Sequence, residues 1–74
     1  MGLQILVVDD EAAIADLVAV YLKNDGYTVS KCGNAMDALA SIAHQPPDLA
    51  ILDIMLPDMD GFSLCQKIRE SYLF

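Results

Sequence analysis

Two short apolar runs, Ile5-Leu6-Val7-Val8 and Leu49-Ala50-Ile51-Leu52, each end abruptly at aspartate, the first at Asp9-Asp10 and the second at Asp53. A continuous apolar run of this length, rich in β-branched residues and closed by a turn-forming acid, suits a strand buried on both faces of a parallel sheet. Between the runs the spacing becomes helical. Ile14, Leu17, Val18, Tyr21 and Leu22 fall at offsets of three and four, which predicts a helix with one apolar stripe, capped by Asp10 and ended by Gly26.

From Tyr27 to Lys31 the pattern alternates, with Tyr27, Val29 and Lys31 on one side and Thr28 and Ser30 on the other, as in a half-buried edge strand. Asn34, with Asp37 three residues on, opens a second helix whose stripe is Ala38, Leu39, Ile42 and Ala43 and which Pro46-Pro47 stops. After the second apolar run comes the loop Met55-Leu56-Pro57-Asp58-Met59-Asp60-Gly61. Phe62, Leu64, Cys65 and Ile68 then form the apolar side of a third helix, which should end near Ser71-Tyr72. Three strand-helix pairs in strict alternation predict an α/β fold with parallel strands and right-handed crossovers. The alternating strand belongs outside and the two apolar runs side by side, giving the order 2-1-3.

The chain of 74 residues has room for one compact unit, residues 1-74, and its 55% apolar content argues for a packed core over disorder. No run approaches the roughly 18 apolar residues that a membrane span requires. No basic segment precedes the first strand, so a secretory signal is not expected and a cytoplasmic location is. The net charge of −7 opposes the phosphate contacts of nucleic-acid binding, so none is predicted for these residues. Cys32 and Cys65 have no metal-ligand spacing and read as small buried apolar residues, while His44 reads as a solvated residue at a helix end.

In a parallel sheet of this order, ligands gather at the carboxyl ends of the strands, where connections diverge to opposite faces. Asp9, Asp10 and Asp53 all fall there. Taken singly, each has an ordinary structural role as a helix cap, a turn residue or a strand end. Their convergence argues for more, because three carboxylates forced together repel one another unless a cation neutralises them. Mg²⁺, which binds through one or two carboxylates plus waters and phosphate oxygens, fits this oxygen-only cluster better than zinc.

The segments Ile5-Leu6-Val7-Val8-Asp9-Asp10-Glu11, Asp48-Leu49-Ala50-Ile51-Leu52-Asp53-Ile54-Met55-Leu56-Pro57 and Asp60-Gly61 resemble the receiver domain of two-component response regulators. Within that family, Ala12 to Gly26 and Leu49 to Arg69 are most similar to transcription regulators of the winged-helix class. The resemblance implies half of a flavodoxin-like, or CheY-like, doubly wound parallel sheet. It also implies a regulatory phosphoacceptor, not an enzyme, that takes its phosphoryl group from a sensor histidine kinase. By the same resemblance Asp53 is the phosphoacceptor, Asp10 a direct Mg²⁺ ligand, Asp9 a ligand acting through water, and the backbone carbonyl of Met55 the third protein ligand. Pro57 and Gly61 match residues that shape the adjoining loop. In-line phosphoryl transfer to a carboxylate needs charge neutralisation more than it needs a base, which agrees.

A complete receiver of this family has five strand-helix pairs, with a Ser or Thr after the fourth strand and a Lys after the fifth. The 74 residues match the first three pairs, and Lys23, Lys31 and Lys67 all lie in elements that cannot fill the lysine's role. The expectation is therefore a truncated receiver that phosphorylates poorly. It should also form a homodimer through the open edge of the third strand or by segment exchange, with the Tyr72-Leu73-Phe74 tail adding apolar surface. Competing readings are a self-associating half-domain without signalling activity and a haloacid-dehalogenase-like phosphatase. The latter family places its two acids two residues apart, whereas Asp9 and Asp10 are adjacent. A flavodoxin is disfavoured because acids stand where a flavin phosphate would need donors.

Overall fold

The computed structural model describes the backbone of residues 2–71 and the side chains of residues 2–70. Element order is β1 (Gln4–Val8), α1 (Ala12–Asn24), β2 (Thr28–Cys32), α2 (Ala35–His44), β3 (Leu49–Leu52) and α3 (Gly61–Ser71). The strands form one parallel sheet in the order β2-β1-β3, as the sequence pattern implies. β1, paired along both edges, is the one strand of the three that is buried on both faces: Ile5, Leu6, Val7 and Val8 are all at most 4% exposed. Burying each such side chain contributes about 1.5–3 kcal/mol, which makes β1 the spine of the domain.

The alternation of β1 splits the core in two. Ile5 and Val7 pack with Ala15 of α1, joined by Val18, Leu22, Tyr27 and Val29. Leu6 and Val8 face the other way, onto Ala35, Ala38 and Ile42 of α2 and Leu64 and Ile68 of α3. Helices thus cover both faces, one against two, as a doubly wound sheet requires.

Local chemistry sets the helix ends. Asn34 caps α2, its Oδ1 accepting from the Asp37 amide at 2.8 Å while its Nδ2 donates to Asp37 Oδ2 at 3.1 Å. Gly26, at φ 92°, follows the C-cap of α1 in the left-handed conformation that glycine adopts without penalty. Its amide donates to Lys23 O at 3.0 Å and that of Tyr27 to Leu22 O at 3.1 Å, which satisfies the helix's last carbonyls.

Several details depart from the sequence reading. The buried face of α1 is Ala15 and Ala19, while Ile14, Leu17 and Tyr21 of the expected stripe are 44%, 57% and 67% exposed. Alanines allow the helix to sit close on Ile5 and Val7, so the larger side chains are turned to its flanks. Asp10 does not cap α1. Glu11 occupies that position with no side-chain cap bond, and Asp9 Oδ1 accepts the Glu11 amide at 2.9 Å. Ala43 and Phe62 are exposed, because α2 and α3 present Ala38, Ile42, Leu64 and Ile68 to the sheet instead.

β3 forms the second edge of the sheet. Leu49 and Ile51 are paired in register with Ile5 and Val7 and so share their face, yet they remain 52% and 39% exposed because α1 lies over β1 and β2. The Tyr72-Leu73-Phe74 tail lies outside the described residues.

Candidate functional site

Register brings the acids together. Val8 and Leu52 are partners across β1 and β3, so the next residue on each strand, Asp9 and Asp53, is placed at the same level of the sheet. Ladder bonds continue past both strands: the Asp53 amide donates to Val8 O at 2.9 Å and the Asp9 amide to Cys32 O at 3.0 Å. One carboxylate oxygen from each of Asp9, Asp10 and Asp53 lies within 4.8 Å of the others. Asp9 and Asp53 are half-buried and Asp10 is exposed, so the cluster sits in a shallow opening at the carboxyl edge of the sheet.

The arrangement suits a hard divalent ion. At metal–oxygen distances of about 2.1 Å, opposite ligands of an octahedral Mg²⁺ stand about 4.2 Å apart, close to the spread of these oxygens. No other group of three potential side-chain metal ligands occurs among the described residues. Lys31, the lysine lining the groove beside Asp9 and Asp10, is engaged by Asp16, its Nζ 2.6 Å from Asp16 Oδ1. That pairing takes up the one lysine that lines the groove among the described residues.

The β3–α3 loop closes over the third acid. The Met55 amide donates to Asp53 Oδ1 at 3.3 Å, the Gly61 amide to Ile54 O at 2.7 Å, and Met55 forms an isolated antiparallel bridge with Asp60. A Cβ on Gly61 would stand 2.2 Å from the carbonyl oxygen of Asp53, so only glycine allows the loop to return this closely to the acid's backbone. Asp60 starts α3, accepting from the Ser63 amide at 2.8 Å and the Ser63 hydroxyl at 2.8 Å. These donors hold its carboxyl below the usual value.

The family of response regulator receiver domains matches residues 5–73. The chain belongs to that family. It is 54% identical over all 74 residues to the regulatory protein VanR of Enterococcus faecium and 49% identical to VanRc of Enterococcus gallinarum, spanning 32% of the length of each. Among solved structures, it covers 60% of the chain of the response regulator TrrA of Thermotoga maritima. That alignment takes in 95% of the 74 residues, with 37% identity and a TM-score of 0.89. The chain thus spans about a third of its curated relatives and about three-fifths of a solved receiver.

Within the receiver fold, the three acids expected from the sequence are brought together. Met55 lies two residues past Asp53, its amide donating to Asp53 Oδ1 at 3.3 Å. Both cysteines are free and half-buried, and burial pushes the Cys32 thiol up, away from the reactive thiolate form.

Asp58 escaped the sequence reading. Its two carboxylate oxygens accept the amides of Ala35 and Met36, at 2.8 and 2.9 Å, on the first turn of α2. Those two bonds hold its carboxyl below the usual range. Its partners lie 23 and 22 residues away, so no local pattern could have announced the contact. Asp60 was legible in principle, since an aspartate three residues before a serine at a helix start is a capping pattern.

Proposed function

We propose that the chain is a phosphoryl-accepting module in which Asp53 receives the phosphoryl group while Asp9, Asp10, Asp53 and the Met55 carbonyl hold Mg²⁺. The observation that carries this reading is the convergence of three carboxylate oxygens within 4.8 Å at the carboxyl ends of two paired strands. TrrA, which shares the fold at 37% identity, has been solved in complex with Mg²⁺-BeF. Bound there, the ion would neutralise charge on the phosphoryl oxygens. An Asp53 oxygen forms the new P–O bond in line as the donor's bond to phosphorus breaks, and the electron pair leaves with the donor group. From a phosphohistidine the leaving group is imidazole, neutral because its other ring nitrogen carries a proton; from acetyl phosphate it is acetate. Asp53 is itself modified, so the chain acts as a regulatory switch and not as a turnover enzyme.

The donor we infer is a sensor histidine kinase, with both partners in the cytoplasm. No helix of the described residues is long and apolar enough to cross a membrane. The 74 residues fold as three βα units, and among the described residues Lys31, the lysine lining the groove beside Asp9 and Asp10, is already paired with Asp16 instead of free to meet the phosphoryl oxygens. Donors of that kind are worth about 10²–10³ in rate each, so phosphorylation of this polypeptide is slow. The unpaired edge of β3, with Leu49 and Ile51 exposed, favours self-association of the same polypeptide.

Treatment with acetyl phosphate and Mg²⁺, followed by peptide mass spectrometry, tests the assignment. Slow labelling at Asp53, absent in Asp53→Asn and dependent on Mg²⁺, is the expected result. Labelling that persists in Asp53→Asn would refute the phosphoacceptor. Repeated release of phosphate from an aryl phosphate would point instead to a phosphatase.

A further inference from the structure

We propose that Asp58 is a positioning residue that clasps the β3–α3 loop to helix α2 and thereby holds Met55 over the acid cluster. The proposal rests on the Mg²⁺ reading of Asp9, Asp10 and Asp53. The loop from Ile54 to Asp60 is fastened near Asp53 by the Met55 amide at 3.3 Å and the Gly61 amide at 2.7 Å. Between those points its one side-chain anchor among the hydrogen bonds of the described residues is Asp58, which takes both free amides at the start of α2. The next amide, that of Asp37, is already taken by Asn34. Three successive donors that a helix start leaves orphaned are thus shared between a local cap and a distant one.

The two caps do different things. Asn34 and Asp37 belong to α2 and its leader, so their bond stabilises the helix alone. Asp58 belongs to the loop that carries Met55, so its bonds tie the helix start to the metal site. A charged acceptor with two amide donors is among the stronger hydrogen-bonding arrangements, and Pro57 restricts the backbone immediately before it. Releasing the clasp removes the loop's side-chain anchor at its midpoint and leaves Met55 to its long bond with Asp53 and its bridge to Asp60, with Leu56 and Met59 still packed on the core. Ion binding through the Met55 carbonyl is then linked to the clasp. Linkage is reciprocal: whatever the clasp adds to Mg²⁺ affinity, Mg²⁺ adds to protection of the clasped amides.

The test compares Mg²⁺ dissociation constants, from calorimetric or NMR titration of the folded 74-residue chain, for wild type, Asp58→Ala, Asp58→Asn and Asn34→Ala. Removing a supporting group of this kind weakens metal affinity about 10-fold, so Asp58→Ala should bind about 10-fold more weakly. Asp58→Asn, which keeps one acceptor oxygen, should fall between, and carries the test if the alanine variant does not fold. Asn34→Ala should lower the melting temperature with wild-type affinity, separating loss of a cap from loss of positioning. In wild type, saturating Mg²⁺ should slow hydrogen exchange at Ala35 and Met36 by up to about 10-fold, and at Asp37 by less. Wild-type affinity in both Asp58 variants would overturn the positioning role and leave the metal site standing. Failure of wild type itself to bind Mg²⁺ would overturn the metal site and this proposal together.

Discussion

Replacing Asp53 by asparagine preserves shape and leaves an oxygen for the Met55 amide, but removes one of three clustered charges. Asp9 and Asp10 are neighbours in sequence and repel in the unfolded chain as well. Asp53 is distant in sequence, so its repulsion with both is created by folding. At the 4.8 Å limit of the cluster, two unit charges repel by about 0.9 kcal/mol in the dielectric of water. An effective constant of 20 would raise this to about 3.5 kcal/mol. Because the acids are exposed or half-buried, the lower figure applies, and two pairs amount to about 2 kcal/mol. In chelator and low salt, Asp53→Asn should therefore be more stable than wild type by about that much. Its melting temperature should rise by roughly 8–16 °C for a domain of this size. Mg²⁺ reverses the order: at about 1,000 times its dissociation constant it adds about 4.1 kcal/mol to wild type and far less to a variant lacking a ligand. Urea denaturation followed by circular dichroism, with chelator and with Mg²⁺, reads both halves. Equal midpoints in chelator would refute the repulsion, and equal Mg²⁺ shifts in both proteins would refute the metal site.

Three glycine-to-alanine variants should separate clash from backbone strain in the same assay. Gly61→Ala, whose Cβ would meet Asp53 O at 2.2 Å, should cost about 3 kcal/mol; Gly26→Ala, at φ 92° in open space, about 1–2 kcal/mol; and Gly33→Ala, with neither problem, less than about 0.5 kcal/mol. Similar losses at Gly61 and Gly33 would contradict the close approach of loop and acid. Asp58 and Asp60 have folded carboxyls held below the ordinary 3.8 by amide donors, so the stability they add is complete above that value and lost as pH falls below it. Acid unfolding should accordingly be less steep below pH 3.8 in Asp58→Asn and Asp60→Asn, and an unchanged profile would argue against those bonds in solution. Sedimentation equilibrium should show the 74-residue chain self-associating at micromolar concentration and Ile51→Lys shifted toward monomer; a folded wild-type monomer at high concentration would remove the open-edge argument.

The strand order and the acid cluster were both legible in the residues alone. A strand apolar on both faces, beside one that alternates, can only be placed inside it, and an aspartate closing each of two neighbouring apolar runs must arrive at one edge of the sheet. Asn34 and Gly26 were equally readable, because helix caps depend on residues within a turn of one another. The face that α1 buries was not. Periodicity identifies the large apolar residues of a helix, but whether Leu17 or Ala15 meets the sheet depends on how closely the backbones approach and on how far the neighbouring strands extend. The exposure of Leu49 and Ile51 likewise follows from which strands α1 covers. Asp58 is the clearest case: its charge is visible in the sequence, but the two amides it satisfies are orphaned only because α2 begins there, and they come within reach only after β1 has brought α2 and the β3–α3 loop to the same end of the sheet.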